Sequence, residues 1–247
     1  MPEGDSIHAA AGRLHVLEGE VVAVEARNPR AAALGIAPRL DGRQLERVEA
    51  VGKNLLFSFK GGVVLRSHLR MRGRWEVRDA GSRVVGQPWL ILRGARHQAV
   101  LWHGPVLKLG TQGVRGLGPD IMAPRPDIDA MVARLRTAGQ ELMVGEALLD
   151  QSLVAGIGNL WRSEALFLSG ISPWRRLGDL SDQALEGALQ TAATAMKAGR
   201  RERFVYRRAG RPCLRCGAAI VYRRQGEHAR ATYWCPACQA GTEPVKA

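Results

Sequence analysis

CLRCGAAIVYRRQGEHARATYWCPAC, residues 213–238, sets two Cys-x2-Cys knuckles eighteen residues apart, and its four thiols are the entire cysteine content of the 247-residue chain. Each knuckle can place two sulfurs on one side of a tetrahedral ion, so the spacing predicts one Zn²⁺ held by Cys213, Cys216, Cys235 and Cys238. Such an ion is structural, because four protein ligands leave no open position for a catalytic water. Two disulfides or a redox pair are the alternatives. Cysteines confined to the last 35 residues do not make a secreted disulfide scaffold, and disulfides are unusual in a cytosolic chain. Between the knuckles, AAIVYRR and ARATYW flank QGE as two strands would flank a tight turn. A hairpin this small has no core of its own, and zinc binding worth about 10–16 kcal/mol in comparable peptides decides whether it folds. Arg223, Arg224 and Arg230 on the hairpin either reach phosphates or form a solvated basic face.

Working outward, RRERFVYRRAGR (residues 200–211) leads into the cysteines as a basic segment, and the whole chain carries 36 Lys and Arg against 23 Asp and Glu. A net charge of +13 calls for a polyanionic partner. Acidic membranes also attract basic proteins, but no run of 18 apolar residues exists. The first twenty residues, with Glu3, Asp5, Arg13, Glu18 and Glu20, lack the apolar core of a signal peptide, so the expectation is a soluble, cytosolic protein. At 46% hydrophobic and 24% charged, the composition is that of a globular chain and excludes a disordered or fibrous one.

Apolar residues at helical spacing predict helices over Met131–Leu135, Gly145–Gln151, Leu160–Ser169 and Asp182–Met196, the last with Ser181 as N-cap. GLGPDIMAPRP (116–126) is too rich in Gly and Pro for regular structure and reads as a linker. Before it, from Val21 to about Leu109, the short runs VVAVEA, NLLFSF, VVLRSHL, WLILR and AVLWH predict two layers of antiparallel strand, with Gly61-Gly62 as a hairpin turn. Ile7, Ala10, Ala11, Leu14 and Leu17 predict an opening helix over residues 3–18, stopped by Gly19.

Met1 precedes a small residue, Pro2, which normally permits removal of the initiator methionine. Pro2 then offers a secondary amine, able to add to the C1′ aldehyde of an opened sugar; loss of water leaves an iminium that acidifies the C2′ protons and leads to cleavage of a sugar-phosphate backbone. The positive end of a helix dipole lowers the pKa of such an amine. Glu3 is placed to move protons to and from the sugar oxygen. Pro and Glu are also what an ordinary helix favours in its first turn.

MPEGDSI, VGKNLLF around Lys53, SHLRMRGRW from Ser67, GLGPDI, QSLVAGIGNLWRSEALF from Gln151 and the terminal CxxC pair with ARATYWCPACQ together resemble the formamidopyrimidine-DNA glycosylase/endonuclease VIII family, in order along the whole chain. The resemblance implies an α+β multidomain protein: an N-terminal antiparallel β-sandwich with flanking helices (1–115), a linker (116–127), a helical helix-two-turn-helix domain (128–205) and a C-terminal zinc-finger β-hairpin (206–247). It implies a bifunctional DNA glycosylase/AP lyase that excises oxidised bases through a Pro2 Schiff base and cleaves by β,δ-elimination. Glu3 matches the acid-base carboxylate and Lys53 a lysine that contacts phosphate and assists catalysis. His68, Asn159 and Arg230 match phosphate contacts. Gly156 and Gly158 suit close backbone approach, with Asn159 capping the next helix. Met71 occupies the wedge position for the space left by a flipped nucleotide, flanked by Arg70 and Arg72. Lys53, His68, Asn159 and Arg230, counted as four phosphate contacts, imply a salt slope of about −3.6. The implied partner is damaged double-stranded DNA, bound by a monomer in a bacterial-type cytosol or nucleoid.

Gly4, Asp5 and Ser6 depart from the Pro-Glu-Leu-Pro-Glu start of the purine-directed branch, and HGPVLKLG (103–110) lacks the Arg-Phe pair of that branch's hairpin. The short interval between Phe167 and Cys213 leaves little room for its 8-oxoguanine loop. These departures favour oxidised pyrimidines. A purine-directed glycosylase of the same family, and a non-catalytic zinc-ribbon DNA-binding protein, are the competing readings.

Overall fold

The computed structural model describes residues 2–199, 202–239 and 241 and divides into two compact units, Met1–Arg115 and Gly116–Ala247. Met1, Arg200, Arg201, Ala240 and the residues from 242 onward lie outside the described residues, and with them the initiator methionine, the start of the basic segment and the end of the predicted zinc-finger domain.

The first unit opens with helix α1 (Gly4–Leu14), whose Ile7, Ala10, Ala11 and Leu14 form one buried stripe. A 3-10 turn over His15–Leu17 follows, and Gly19, at φ 83°, ends it in a left-handed conformation. Two short helices, α2 (Pro29–Ala32) and α3 (Ala37–Leu40), interrupt a set of antiparallel strands. These are β1 (Val21–Glu25), β2 (Arg43–Val51), β3 (Asn54–Phe59), β4 (Val63–His68), β5 (Arg74–Asp79), β6 (Leu90–Arg93), β7 (His97–Trp102) and β8 (Val106–Leu109). Their order is β5-β7-β6-β1-β2-β3-β4-β8. Strand β1 divides its pairing, Val21 and Val22 to β2 and Ala23 to Glu25 to β6, so the halves on either side of it can fold face to face. One core joins them: Leu55, Phe57 and Leu65 from one half, Trp75, Leu92 and Leu101 from the other, with Ile7 and Leu14 of α1. The Phe57 and Trp75 rings meet at 5.0 Å between centroids. This is the expected β-sandwich.

Strand β2 escapes sequence reading because only Leu45 and Val48 of RQLERVEAV are buried, three residues apart, a helical spacing. A register shift between Leu45 and Arg47 in the pairing with β3 produces it. Residues 103–110 are not a hairpin: β8 pairs with β4, whereas β7 pairs with β5 and β6, so His103-Gly104-Pro105 is a crossover between the halves.

The second unit contains α4 (Ile128–Thr137), α5 (Val144–Ala147), α6 (Asn159–Leu168), a 3-10 turn over Leu177–Asp179, α7 (Asp182–Lys197) and the hairpin β9 (Val221–Gln225) and β10 (Arg230–Trp234). Ser181 caps α7 by accepting the Ala184 N–H at 3.2 Å, and Asp127 caps α4 likewise through Ala130 at 2.9 Å. Helix α5 is shorter than the predicted 145–151 because Asp150 turns the chain, accepting from the Ser152 N–H at 2.8 Å. Two turns then lead to α6, pinned by Gln151, which donates to the Ile157 carbonyl (2.9 Å) and accepts the Gly156 N–H (3.1 Å). Gly156, at φ 102°, takes a conformation that L side chains resist.

The stretch read as a linker belongs in part to this unit. Ile121 is fully buried in its core, and Gly118 and Ile121 donate to the Gln151 and Ala155 carbonyls. The hairpin turn is Gly226 to Ala229, not QGE: Gln225 ends β9 and is 4% exposed.

Candidate functional site

At the chain's start, Glu3 is the N-cap of α1, so Pro2 stands immediately outside the positive end of an 11-residue helix. Glu3 is buried, at 2% exposure. The Ser6 hydroxyl accepts the Glu3 N–H at 3.0 Å and donates to the Glu3 carbonyl at 2.9 Å, fixing the backbone that carries both residues. Ser6, a departure from the family pattern, therefore has a defined local task. Helix α1 rests on β2, β3 and β5.

One end of the same unit collects cations. Gly52 and Lys53 form the two-residue turn between β2 and β3, with Gly52 at φ 57°. The next residue, Asn54, pairs with His68 at the end of β4. Asn54 is buried and accepts from Arg66 Nη1 at 3.1 Å. Burial, followed by the positive charges of Arg70, Arg66 and Lys53, lowers the His68 pKa to about 4, so the ring is neutral at physiological pH. Its Nδ1 accepts the Arg70 N–H at 3.0 Å. A neutral imidazole has one acceptor and one donor nitrogen, so Nε2 carries the proton. Arg70, at φ 51°, starts an exposed loop in which Met71 is 62% exposed and so is not a core residue. Beside it lies a groove of about 550 Å³ lined by Arg30, Trp89 and His103 as well as residues 70–72.

In the second unit, Asn159 is the first residue of α6 and Gly158 is the N-cap, contrary to the expectation that Asn159 caps the helix. Its side chain is committed elsewhere: Nδ2 donates to the Ala231 carbonyl of β10 at 2.8 Å, and Oδ1 accepts from Arg162 Nη2. Helix α6 and the hairpin thus meet at Asn159, with the exposed Arg230 one residue from the contact. Sequence reading missed Arg162, Glu164 and Gln225, all buried. The available signal was a charged Arg-Ser-Glu triplet inside the apolar run of α6. Glu164 accepts three backbone N–H groups, from Phe204 (2.9 Å), Val205 (3.1 Å) and Tyr206 (2.7 Å), and so anchors the approach to the cysteines.

The four Sγ atoms lie within 4.8 Å of one another. Cys213 and Cys238 are 3.9 Å apart and Cys216 and Cys235 3.5 Å. These separations bracket the roughly 3.8 Å edge of a tetrahedron with metal–sulfur bonds of about 2.3 Å, and they exceed the disulfide length of about 2.05 Å. Burial and the neighbouring Cys216, Cys235 and Cys213 thiols push Cys238 up to about 12, a crowding that a central cation relieves. Backbone N–H groups reach the sulfurs as well, Arg215 to Cys213 at 3.4 Å and Cys238 to Cys235 at 3.5 Å. The residues fit a tetrahedral metal ion.

A Pro-Glu-led β-sandwich, followed by a helix-two-turn-helix unit that ends in a four-cysteine hairpin, defines a protein of the formamidopyrimidine-DNA glycosylase fold class. Residues 1–118 match the formamidopyrimidine-DNA glycosylase N-terminal domain and residues 117–203 its H2TH domain. A probable endonuclease 8 2 of Streptomyces coelicolor is 41% identical over 99% of this chain and 96% of its own. A DNA-(apurinic or apyrimidinic site) lyase Nei2 of Mycolicibacterium smegmatis is 34% identical over 98% and 100%. The chain belongs to the formamidopyrimidine-DNA glycosylase/endonuclease VIII family. In fold it is similar to the Lactococcus lactis Fpg, solved in complex with an abasic-site DNA, at a TM-score of 0.81 and 22% identity over 97% of this chain and 100% of that one.

Proposed function

We propose that the chain is a bifunctional DNA glycosylase/AP lyase acting on oxidised pyrimidines in double-stranded DNA, with Pro2 as nucleophile. The observation that carries this reading is the placement of Pro2 just outside the N-cap of α1, with the buried Glu3 as that cap. The helix dipole disfavours a second positive charge there and so favours the unprotonated imino nitrogen that the attack requires.

The Pro2 nitrogen attacks C1′ and forms an N–C1′ bond as the glycosidic bond breaks and the base leaves. Glu3 protonates the ring oxygen, the sugar opens, and the nitrogen lone pair forms the iminium. Removal of a C2′ proton then expels the 3′ phosphate, and a second elimination expels the 5′ phosphate; water hydrolyses the remaining Schiff base and frees Pro2. Lys53 and His68 Nε2–H hold phosphates from the first unit, and Asn159 and Arg230 from the second. His68 and Asn159 are uncharged, so these four contacts contribute two cations, and the salt slope they supply is about −1.8 in place of −3.6. Met71 fills the space of the flipped nucleotide, with Arg70 and Arg72 beside it. Zn²⁺ is the ion that fits the four cysteines and holds the hairpin carrying Arg230. The protein acts as a monomer in the cytosol or nucleoid; among the described residues no helix is long and apolar enough to cross a membrane.

The pyrimidine preference draws support from the relatives named endonuclease 8, at 41% and 35% identity, and from a 103–105 crossover without an Arg-Phe pair. Borohydride reduction in the presence of abasic-site DNA is expected to attach DNA at Pro2, and active protein whose adduct maps elsewhere, or that still carries Met1, overturns the mechanism. Glu3→Gln is expected to lose base removal while retaining some cleavage at preformed abasic sites; activity equal to wild type on damaged bases removes Glu3 from the scheme. Thymine glycol competed against 8-oxoguanine in matched duplexes decides the substrate class.

A further inference from the structure

Arg162 is fully buried in α6, yet it carries a permanent charge and the proposed chemistry does not use it. Its guanidinium donates through Nη1 to the Gly145 carbonyl (3.2 Å) and Gln225 Oε1 (3.3 Å), and through Nη2 to Asn159 Oδ1 and the Ala231 carbonyl (3.0 Å). Those partners come from the α5 segment, from both strands of the metal hairpin and from the first residue of its own helix. Gln225 is in turn held by Thr232 Oγ1 (3.0 Å) and by donation to the Pro173 carbonyl (2.9 Å). The packing leaves no slack: a Cβ on Gly145 would come within 2.5 Å of Gln225 Oε1 and 2.8 Å of the Pro173 carbonyl.

The chemistry of these partners fixes which way the Asn159 amide faces. A guanidinium only donates, so the Asn159 atom against Arg162 must be oxygen; a carbonyl only accepts, so the atom against Ala231 must be nitrogen. The amide nitrogen has two hydrogens. One goes to Ala231, and the other is the group available to a phosphate oxygen. Without Arg162 the Ala231 carbonyl alone would hold the amide, and a half-turn, then opposed by one partner in place of two, would present an acceptor, which repels phosphate.

We propose that Arg162 is a positioning residue for DNA binding: it holds the Asn159 amide with a donor available to phosphate and locks the Arg230 hairpin to the same helix. This rests on Asn159 as a phosphate contact, and the test separates the two claims. Dissociation constants for a duplex containing a tetrahydrofuran abasic analogue are measured for wild type, Asn159→Ala, Arg162→Met and the double variant, with metal content and Tm as measures of folding. Arg162→Met is expected to weaken binding about tenfold or more, and to weaken it less than about twofold further once Asn159 is already Ala. Borohydride trapping at saturating DNA is expected to proceed at the wild-type rate, so that KM changes and the chemical step does not. Asn159→Asp keeps an acceptor for Arg162 but presents oxygen to the phosphate; it is expected to retain metal and Tm while losing binding about a hundredfold. If Arg162→Met loses its metal, Arg162→Lys replaces it in the same cycle, since a single ammonium cannot reproduce the planar fork. Unchanged binding in Asn159→Ala overturns the phosphate contact. Weaker binding in Asn159→Ala, with a fully additive effect of the Arg162 substitution, overturns the positioning role alone.

Discussion

The two units hold their candidate site residues by opposite means. In the first, an apolar sandwich core of Phe57, Trp75, Leu65 and their neighbours fixes strand ends: Lys53 lies on the β2–β3 turn, His68 ends β4 and Met71 follows in the loop after it. In the second, the helix bearing Asn159 is joined to the hairpin bearing Arg230 through buried polar atoms, and a four-thiol cluster gathers the two ends of that hairpin. Apolar contacts are individually small and non-directional, so no single one decides the position of a strand end. Buried hydrogen bonds and metal ligation are directional, and losing one leaves its partner desolvated and unsatisfied. Failure should therefore be graded in the first unit and abrupt in the hairpin.

Stripping the metal with a strong chelator provides the largest test, since ligation of such modules is worth about 10–16 kcal/mol. Hydrogen exchange is expected to accelerate across residues 213–238 and to remain slow across 54–68; equal acceleration of both would erase the contrast. Phe57→Ala is expected to cost about 3–5 kcal/mol, with exchange rising through β2 to β4 while metal content stays constant. Glu164→Gln keeps the shape but loses one accepting oxygen, leaving a buried N–H among Phe204, Val205 and Tyr206 unpaired at a cost of about 1–3 kcal/mol. Exchange at those three amides reads it.

The pH response of His68 is confined to acid solution. The unfolded residue takes a proton near about 6.5, whereas the folded one resists until about 4. Between those values the unfolded chain binds more protons, so stability falls as pH drops through that window and this contribution levels off below it. His68→Asn, which keeps an acceptor for the Arg70 N–H, is expected to flatten that slope. A wild-type slope in the variant would place the acid sensitivity elsewhere.

Legibility followed the same division. Patterns local in sequence were readable: the stripe of α1, the Ser181 cap, the Gly61-Gly62 turn and the cysteine spacing each follow from a few adjacent residues. Strand β2 was not, because the register shift in its pairing with β3 gives its buried residues a helical spacing. Helix α6 was found, but Arg162 and Glu164 within it were passed over, since a charged residue in a helix is ordinarily a solvated one. The local GIGN pattern suggests a cap at Asn159, whereas its side-chain partners, Ala231 and Arg162, are 72 and three residues away.

The sequence alone determined many of the parts: the longer helices, several of the strands, where four thiols pair into knuckles, and that an imino acid and a carboxylate lead the first helix. Those properties depend on neighbours within a few residues. Tertiary structure decided the state and aim of the candidate site groups, including the neutral His68 with its donor on Nε2 and the Asn159 amide with its oxygen against Arg162. Desolvation and hydrogen-bond direction depend on groups brought together from distant parts of the chain, and no local pattern encodes them.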